Sequence, residues 1–272
     1  MNVSDFFLQG QTTVQFLLFS LVFIISWNLE NIFGVTEEYN KWKHSKTNIL
    51  FMIPGGILQI MIGLIFAKMV LFENNRSIGF LPQWGINSSW KQLVISFVVL
   101  DFFYWLYHFL MHKIKLAWRF HAVHHSDKVM DVTTSLREHP GETIIRLLQY
   151  ILVVCFLGTS FWIVTLHQFI QIISKIIVHS NWRLPASVDK WVSMIFLTPN
   201  MHHVHHHEVQ PYTDSNYGDL LSIWDRLFGT YKHLGADEVN FGLDVKVFDC
   251  EDHLKFKKLL KVPFTKLNLT NK

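Results

Sequence analysis

The residues of this 272-residue chain that could carry chemistry are its histidines, of which there are 16. Most of them fall between His108 and His207 in short, recurring spacings. Imidazole nitrogens bind zinc, copper, nickel and iron, so a dense histidine group indicates a metal site without naming the metal. A merely solvated histidine-rich segment would need neither such strict spacings nor an adjoining apolar helix.

Three short patterns and one separate histidine make up the group. The first is H-x-x-x-H, which puts both imidazoles on one helix face because residues four apart are neighbours there. Two H-x-x-H-H patterns follow, and His179 ends an apolar stretch between them. The set is too large for one ion and suits two: His108, His112, His121, His124, His125, His179, His202, His205 and His206.

Missing motifs narrow the kind of site. A zinc protease helix reads H-E-x-x-H, but Phe109 follows His108 and no glutamate is there to act as a base. The chain has no Glu-x-x-His pair of the soluble di-iron bundles, and its two cysteines lack a cluster spacing. The fragment from Glu138 to Glu142 faintly resembles a haem-binding loop, but it leads straight into an apolar helix and is interpreted as chance. The predicted site is therefore rich in nitrogen ligands.

Long apolar segments must position these histidines. Half of the chain is hydrophobic, and residues 14–33, 49–72 and 93–111 each approach the roughly 20 residues that cross a bilayer. Residues 144–178 form a fourth apolar stretch with Gly158 near its middle, which predicts a helical hairpin. The alternative is one long helix followed by a surface helix. A single crossing would put the histidines before and after it on opposite membrane faces, and no shared site could form.

Lysine and arginine in the short loops predict the orientation. They are dense after the first and third spans and sparse after the second, which favours an external N-terminus and cytoplasmic histidine motifs and C-terminus. The predicted fold is all-α, a multi-span membrane protein with four to five membrane helices and a cytoplasmic histidine-rich helical cap. We expect N-terminal membrane helices over residues 1–89, a catalytic domain over 90–235 and a polar tail over 236–272.

From about residue 90 to 231 the chain resembles the fatty acid hydroxylase and sterol desaturase superfamily, the membrane histidine-motif oxygenases. The resemblance follows the order H-x-x-x-H, H-x-x-H-H, Arg-Glu-His-Pro at 137–140, Val-His-Ser-Asn at 178–181 and a last H-x-x-H-H after Thr198-Pro199. Residues 214–218 and 224–231 look like the closing signature of a bacterial-type branch. The chain departs from the usual pattern at Phe109, where arginine is common, and at His207, where serine is usual.

The resemblance implies a non-haem centre of two iron ions held by the nine histidines, for which zinc can substitute in isolated protein. It implies that oxygen and external electrons are used to hydroxylate or desaturate a lipid. The chain has no dinucleotide fingerprint, haem loop or cysteine cluster, so we expect a separate electron donor of cytochrome b5 or ferredoxin type. The lipid, and the choice between hydroxylation, desaturation and ether cleavage, stay open.

Several other residues have two interpretations. Asp101 lies two turns before His108 on the same helix face, where it either orients a ligand or pairs with a buried polar group. His139 is either a residue behind the ligands or a structural one. Ordinary core or surface roles are expected elsewhere: for His44, His167, His233 and His253, for His203 and His207, which point away from the ligand face, and for a turn pair of Asp225 and Arg226.

A rival function is a membrane zinc-binding or transport protein. Transporters place ionisable ligands near the middle of the bilayer, whereas these histidines lie at span ends and in polar regions. Nucleic-acid binding is not expected, because the formal charge is only +3 and the basic residues flank apolar runs.

Overall fold

The computed structural model describes residues 12–35, 39–76, 78–243 and 252–265, so Cys250 lies outside the described residues. Within these ranges the chain is helical, without strands, and two isolated antiparallel bridges join Phe196 to Leu221 and His207 to Phe241. The α-helices are α1 (Thr12–Phe33), α2 (Lys41–Arg76), α3 (Phe80–Gln83), α4 (Ser89–Lys113), α5 (Lys115–His125), α6 (Pro140–Leu157), α7 (Phe161–His179), α8 (Ala186–Val192), α9 (Pro199–His205), α10 (Ile223–Leu227) and α11 (Phe256–Leu259). Short 3-10 turns cover Val132–Leu136, Ala236–Glu238, Asp252–Leu254 and Val262–Phe264.

Five of these helices are long and apolar enough to cross a membrane: α1, α2, α4, α6 and α7. The predicted all-α, multi-span fold is thus confirmed, and the chain is a multi-pass membrane protein. Helix α2 begins at Lys41, eight residues before the predicted span, and the side chain of Lys41 binds the end of α1. Lys41 Nζ lies 3.0 Å from Glu30 Oε2 at the end of α1 and donates to the carbonyl of Trp27.

The apolar stretch at 144–178 forms the predicted hairpin of α6 and α7. Gly158 ends α6 with a φ of +64°, a left-handed conformation that glycine adopts without strain. The close approach of Gly79 also requires glycine, because a Cβ on Gly158 would lie 2.1 Å from the Ile78 carbonyl oxygen. Tyr150 on α6 contacts His167 on α7, so the two helices fold back on each other and a single long helix is excluded.

The hairpin puts all nine candidate ligands at one end of the bundle. His108 and His112 lie in the last turns of α4, and His179 is the last residue of α7. The turn between α6 and α7 lies at the other end, where Thr159 hydrogen-bonds Ser96 near the start of α4 over 2.6 Å. An apolar core fills the space between, including Phe66, Leu81, Leu100, Val154 and Leu157. Which side of the membrane carries the histidine end stays a prediction.

A buried polar clamp joins α2 to the segment between α5 and α6. His44 lies between two carboxylates, 2.8 Å from Asp127 Oδ1 and 2.8 Å from Asp131 Oδ2. Arg137, also fully buried, donates to Asn48 on α2 and to the carbonyl of Val123. His44 therefore has the structural role expected of it, and its loss would leave two buried carboxylates without their shared partner.

Residues 252–265 pack beneath the histidine end. Leu259 and Val262 are buried against Phe51 of α2 and Val123 of α5. The lysines of this segment that were expected at the surface are exposed: Lys255, Lys257 and Lys258. A segment predicted as merely polar thus adds an apolar face to the cap, because its apolar residues recur at helical spacing.

Candidate metal centre

The structure brings the nine candidate ligands into two adjoining clusters. Within each cluster the candidate ligand atoms all lie within 4.8 Å of one another, and every imidazole is buried. The five-histidine cluster consists of His108, His112, His121, His125 and His205. The four-histidine cluster consists of His124, His179, His202 and His206. The clusters adjoin closely, since the rings of His125 and His206 stack with centroids 4.4 Å apart.

Each H-x-x-H-H motif is divided between the clusters. In the first motif the outer pair, His121 and His125, joins the five-histidine cluster, whereas His124 joins the other. In the second motif the division is reversed: the outer pair, His202 and His206, belongs to the four-histidine cluster, and His205 belongs to the five-histidine cluster. Residues four apart share a helix face, and the residue three after the first points about 60° to one side. Each motif therefore holds the clusters next to each other.

Backbone carbonyls fix the orientation of four ligand imidazoles. Each of these carbonyls can only accept a hydrogen bond, so the Nδ1 that contacts it must carry the proton and Nε2 must present its lone pair. The distances run from 2.6 to 3.0 Å: His108 to Tyr217, His124 to Arg137, His179 to Lys175 and His205 to Ser215.

The lone pairs point at one another in a way that fits a bound cation. His124 Nε2 and His179 Nε2 are both acceptors, because the Nδ1 of each ring donates to a carbonyl, yet the two Nε2 atoms lie 3.0 Å apart. Protonation does not resolve the conflict, because burial and the neighbouring imidazoles hold the pKa of His124 well below its ordinary value. Two nitrogens each about 2.1 Å from one ion lie about 3.0 to 3.4 Å from each other. The donor set therefore fits a metal ion between them.

Two further observations support this fit: a second close pair of Nε2 atoms, in the five-histidine cluster, and one unpartnered Nε2 atom in each cluster. His108 Nε2 lies 3.0 Å from His121 Nε2. The Nε2 atoms of His205 and His206 are buried and have no hydrogen-bond partner among the described residues. A buried nitrogen without a partner is costly in a protein interior unless an ion or water satisfies it.

Carboxylates support the five-histidine cluster from behind. Glu142 Oε1 lies 2.6 Å from His121 Nδ1 and also accepts from the hydroxyl of Tyr107. Asp214 Oδ1 lies 3.3 Å from His112 Nδ1, and its other oxygen binds Lys113. Such a carboxylate fixes the tautomer and raises the basicity of the ligand. Sequence reasoning missed both, although Glu142 stands in the fragment that was set aside as a chance likeness to a haem loop.

Asp225 organises the loop behind His108. It is fully buried and accepts from Trp105 Nε1 and from the backbone amides of Tyr217 and Gly218. The carbonyl of Tyr217 is the one that orients His108. Asp225 thus has the expected structural role, but it serves a ligand rather than an isolated turn.

Asp101 and His139 lie away from the clusters. Asp101 accepts from Gln171 Nε2 at 3.2 Å and from Trp224 Nε1 at 2.7 Å, so it pairs with buried polar groups, the second of its two expected roles. His139 Nδ1 accepts from the amide of Gly141 and caps α6, and its Nε2 donates to the carbonyl of Leu260. These contacts are structural and reach no candidate ligand.

The other histidines also lie outside the clusters. His203 donates to the Ser180 carbonyl, and His207 donates to the Glu238 carbonyl. His167 is buried beside Tyr150. A cavity adjoins the two clusters and is lined in part by His108, His121, His124, His179 and His202. Members of both clusters can therefore reach a molecule placed in this cavity.

Comparison with known proteins identifies the class. The family model for fatty acid hydroxylase matches residues 93–230, which is half of the chain and includes all nine candidate ligands. The chain therefore belongs to the fatty acid hydroxylase family, as its motifs predicted.

Named relatives are lipid-modifying enzymes. The chain is 26% identical to alkylglycerol monooxygenase of Xenopus tropicalis over 85% of this chain and 49% of the relative. It is 31% identical to ornithine lipid hydroxylase OlsE of Rhizobium tropici over 52% of this chain and 41% of the relative. It is also 26% identical to very-long-chain aldehyde decarbonylase GL1-11 of Oryza sativa subsp. japonica, over 82% of this chain and 86% of the relative. The chain spans about half the length, or less, of the first two, and no solved structure matches it.

Proposed function

We propose that this chain is a membrane-bound non-haem di-iron oxidoreductase that hydroxylates or desaturates a lipid. The observation that carries the proposal is a pair of imidazole Nε2 atoms 3.0 Å apart in each of two adjoining buried histidine clusters. Zinc also accepts imidazole ligands, but it has no redox chemistry. Iron fits both the donor set and a family whose named relatives include a monooxygenase and a hydroxylase.

The chain's own part is to hold neutral imidazoles at fixed positions. Burial lowers the pKa of His202, His205 and His206 well below the ordinary value, so their lone pairs are available at neutral pH. When bound, iron would supply oxygen activation and electron transfer. The surrounding helices keep bulk water from the clusters, because every candidate ligand is buried.

A lipid reaches such a site from the bilayer, since the clusters lie at the ends of α4 and α7. Electrons come from a separate protein of cytochrome b5 or ferredoxin type, because no redox motif stands in the sequence. The histidine end and the C-terminus face the cytoplasm, which the lysine-rich loops after the first and third spans favour.

Metal analysis and labelled oxygen test the proposal together. Protein made in iron-replete cells is expected to hold two iron ions per chain, and a His124→Ala variant is expected to lose iron and product. The matched control is His233→Ala, because His233 is exposed and lies outside both clusters. Label from isotopic oxygen in the lipid product indicates hydroxylation, whereas an unlabelled alkene indicates desaturation. Full turnover in the His124 variant contradicts the proposal. So does protein that is isolated with zinc and still oxidises none of the lipids tested after the zinc has been replaced by iron and a reductant supplied.

A further inference from the structure

A layer of charged side chains lies next to the histidine clusters. Besides its histidines, the cavity is lined by Tyr104, Glu138, Arg146, Lys175 and Asp219. Tyr104 stands four residues before His108, and Lys175 stands four residues before His179. One helical turn is about 5.4 Å. These side chains therefore lie one turn deeper in the bundle than the candidate ligands, between the clusters and the apolar core.

Some side chains of this charged layer form hydrogen bonds and ion pairs with one another. Glu138 binds Arg146 through contacts of 3.0 and 3.2 Å, and it also binds Lys175 Nζ at 3.1 Å. Arg146 is further occupied by the hydroxyl of Tyr104. Lys175 has three N–H donors, of which only the one to Glu138 is used among the described residues, and its side chain is 28% exposed. An unused cationic donor thus borders the cavity.

Asp219 is an unused acceptor in the same cavity. Its carboxylate receives no hydrogen bond from any residue in the described ranges, although the Ser174 hydroxyl donates to its backbone carbonyl. Burial raises the pKa of Asp219 to about 6, while Lys175 and Arg146 counteract the rise. Asp219 is only partly buried, so its carboxylate is open to a hydrogen-bond donor placed in the cavity. Arg146 and Lys175 donate to Glu138 and leave Asp219 without a donor among the described residues.

We propose that Asp219 and Lys175 form a subsite for the polar head of the lipid substrate. Asp219 accepts from a hydroxyl or ammonium group of the head, and Lys175 donates to an oxygen of the same head. This inference rests on the proposed function and specifies its substrate class. A hydrocarbon chain has neither donor nor acceptor and gains nothing from this layer. The substrate is a lipid oxidised within a few bonds of a hydrogen-bonding head, rather than in the middle of a chain.

The test compares lipid heads on matched variants. The probes are 1-O-hexadecylglycerol, its di-O-methyl ether, which has lost the donors, and an ornithine-headed lipid of equal chain length. The variants are Asp219→Asn and Lys175→Met, with exposed Asp237→Asn and Lys190→Met as controls. The Kd of each probe is measured in nanodiscs without reductant, and KM and kcat are measured with iron and reductant present.

A hydrogen bond to a charged group corresponds to about 10- to 100-fold in affinity. We expect Asp219→Asn to weaken the best donor-bearing probe by about 10-fold or more, with kcat changed less than about threefold. The dimethyl ether binds weakly to the unaltered protein, and Asp219→Asn does not weaken it further. Whichever of the glycerol and ornithine heads shows the larger loss identifies the donor as hydroxyl or ammonium.

The outcomes separate this inference from the proposed function. Equal Kd values for the free and methylated heads, or an unchanged Kd in both variants, overturn the subsite even if the lipids are oxidised. Head-dependent binding without turnover of any lipid supports the subsite and counts against the oxygenase proposal. If Asp219→Asn does not fold, the Lys175 variant and the methylated probe on unaltered protein decide the question.

Discussion

The two histidine clusters differ in what stands behind their ligands. In the five-histidine cluster Glu142 and Asp214 contact two of the imidazoles, and both bring a carboxylate. In the four-histidine cluster the supporting groups are neutral backbone carbonyls, those of Arg137 and Lys175. An imidazole that is hydrogen-bonded to a carboxylate is more basic, and so binds a metal more strongly, than one hydrogen-bonded to a carbonyl. In the proposed di-iron centre, the larger cluster would therefore hold its ion more tightly, whereas the smaller one, with four imidazoles, would leave more positions open to other ligands.

Adjacent histidines allow the two clusters to be disrupted one at a time. His205→Ala removes a ligand from the five-histidine cluster, and His206→Ala removes one from the four-histidine cluster. We expect each to lower product formation by about 100-fold or more, because both ions are needed. Iron should fall further in His206→Ala, where only three imidazoles remain. Product assays and iron analysis check this, with His233→Ala as control. Full activity in either variant contradicts the two-ion assignment.

Removing the charge of Glu142 weakens one cluster selectively. Glu142→Gln keeps the shape but withdraws the anion from His121, so the affinity of the five-histidine cluster for iron should fall about 10- to 100-fold. The four-histidine cluster should keep its affinity. Calorimetric titration of the metal-free protein with ferrous iron resolves the two binding steps. The control is Glu208→Gln, because Glu208 belongs to neither cluster. An equal loss of affinity at both binding steps would refute the difference between the clusters.

Asp214 should matter less than Glu142. Its contact with His112 is longer, at 3.3 Å, and Lys113 competes for the same carboxylate. We expect Asp214→Asn to weaken iron binding by less than about 10-fold. The same titration measures it, and a loss exceeding that of Glu142→Gln would reverse the ranking of the two supports.

The smallest effect concerns the cavity that both clusters border. The pKa of Asp219 is raised to about 6, so the carboxylate is ionised above that pH and protonated below it. The charged groups that face it are Glu138, Arg146 and Lys175. Binding of 1-O-hexadecylglycerol should therefore weaken severalfold as the pH falls from about 7.5 to 5.5. Asp219→Asn should remove this pH dependence, and an unchanged profile in that variant assigns the titration to another group.

Much of the candidate site was predictable from spacing, because a helix converts spacing directly into shared direction. H-x-x-x-H and the two H-x-x-H-H motifs identified all nine histidines that the structure brings together. Their division into five and four was not predictable, since it depends on how α4, α5 and α9 meet. Glu142 and Asp219 were missed for a related reason. Each reaches the site from a different helix or loop, and no short motif connects either to its partner.

The fold shows the same contrast between local and distant information. Apolar length predicted the membrane helices, and the requirement for a shared site predicted the hairpin of α6 and α7. The clamp of His44 with Asp127 and Asp131 joins residues more than 80 positions apart, which no local pattern reveals. The packing of Leu259 against Phe51 was missed because lysines dominate that segment of the sequence.

The division of each H-x-x-H-H motif between the clusters ties the two candidate sites to the same stretch of backbone. In the first motif, one helix turn carries His121 and His125 for the five-histidine cluster and His124 for the four-histidine cluster. In the proposed di-iron centre, the separation of the two ions would therefore be set in part by the pitch of that turn. A substitution that distorts the turn is then expected to change both sites, even where it removes no imidazole.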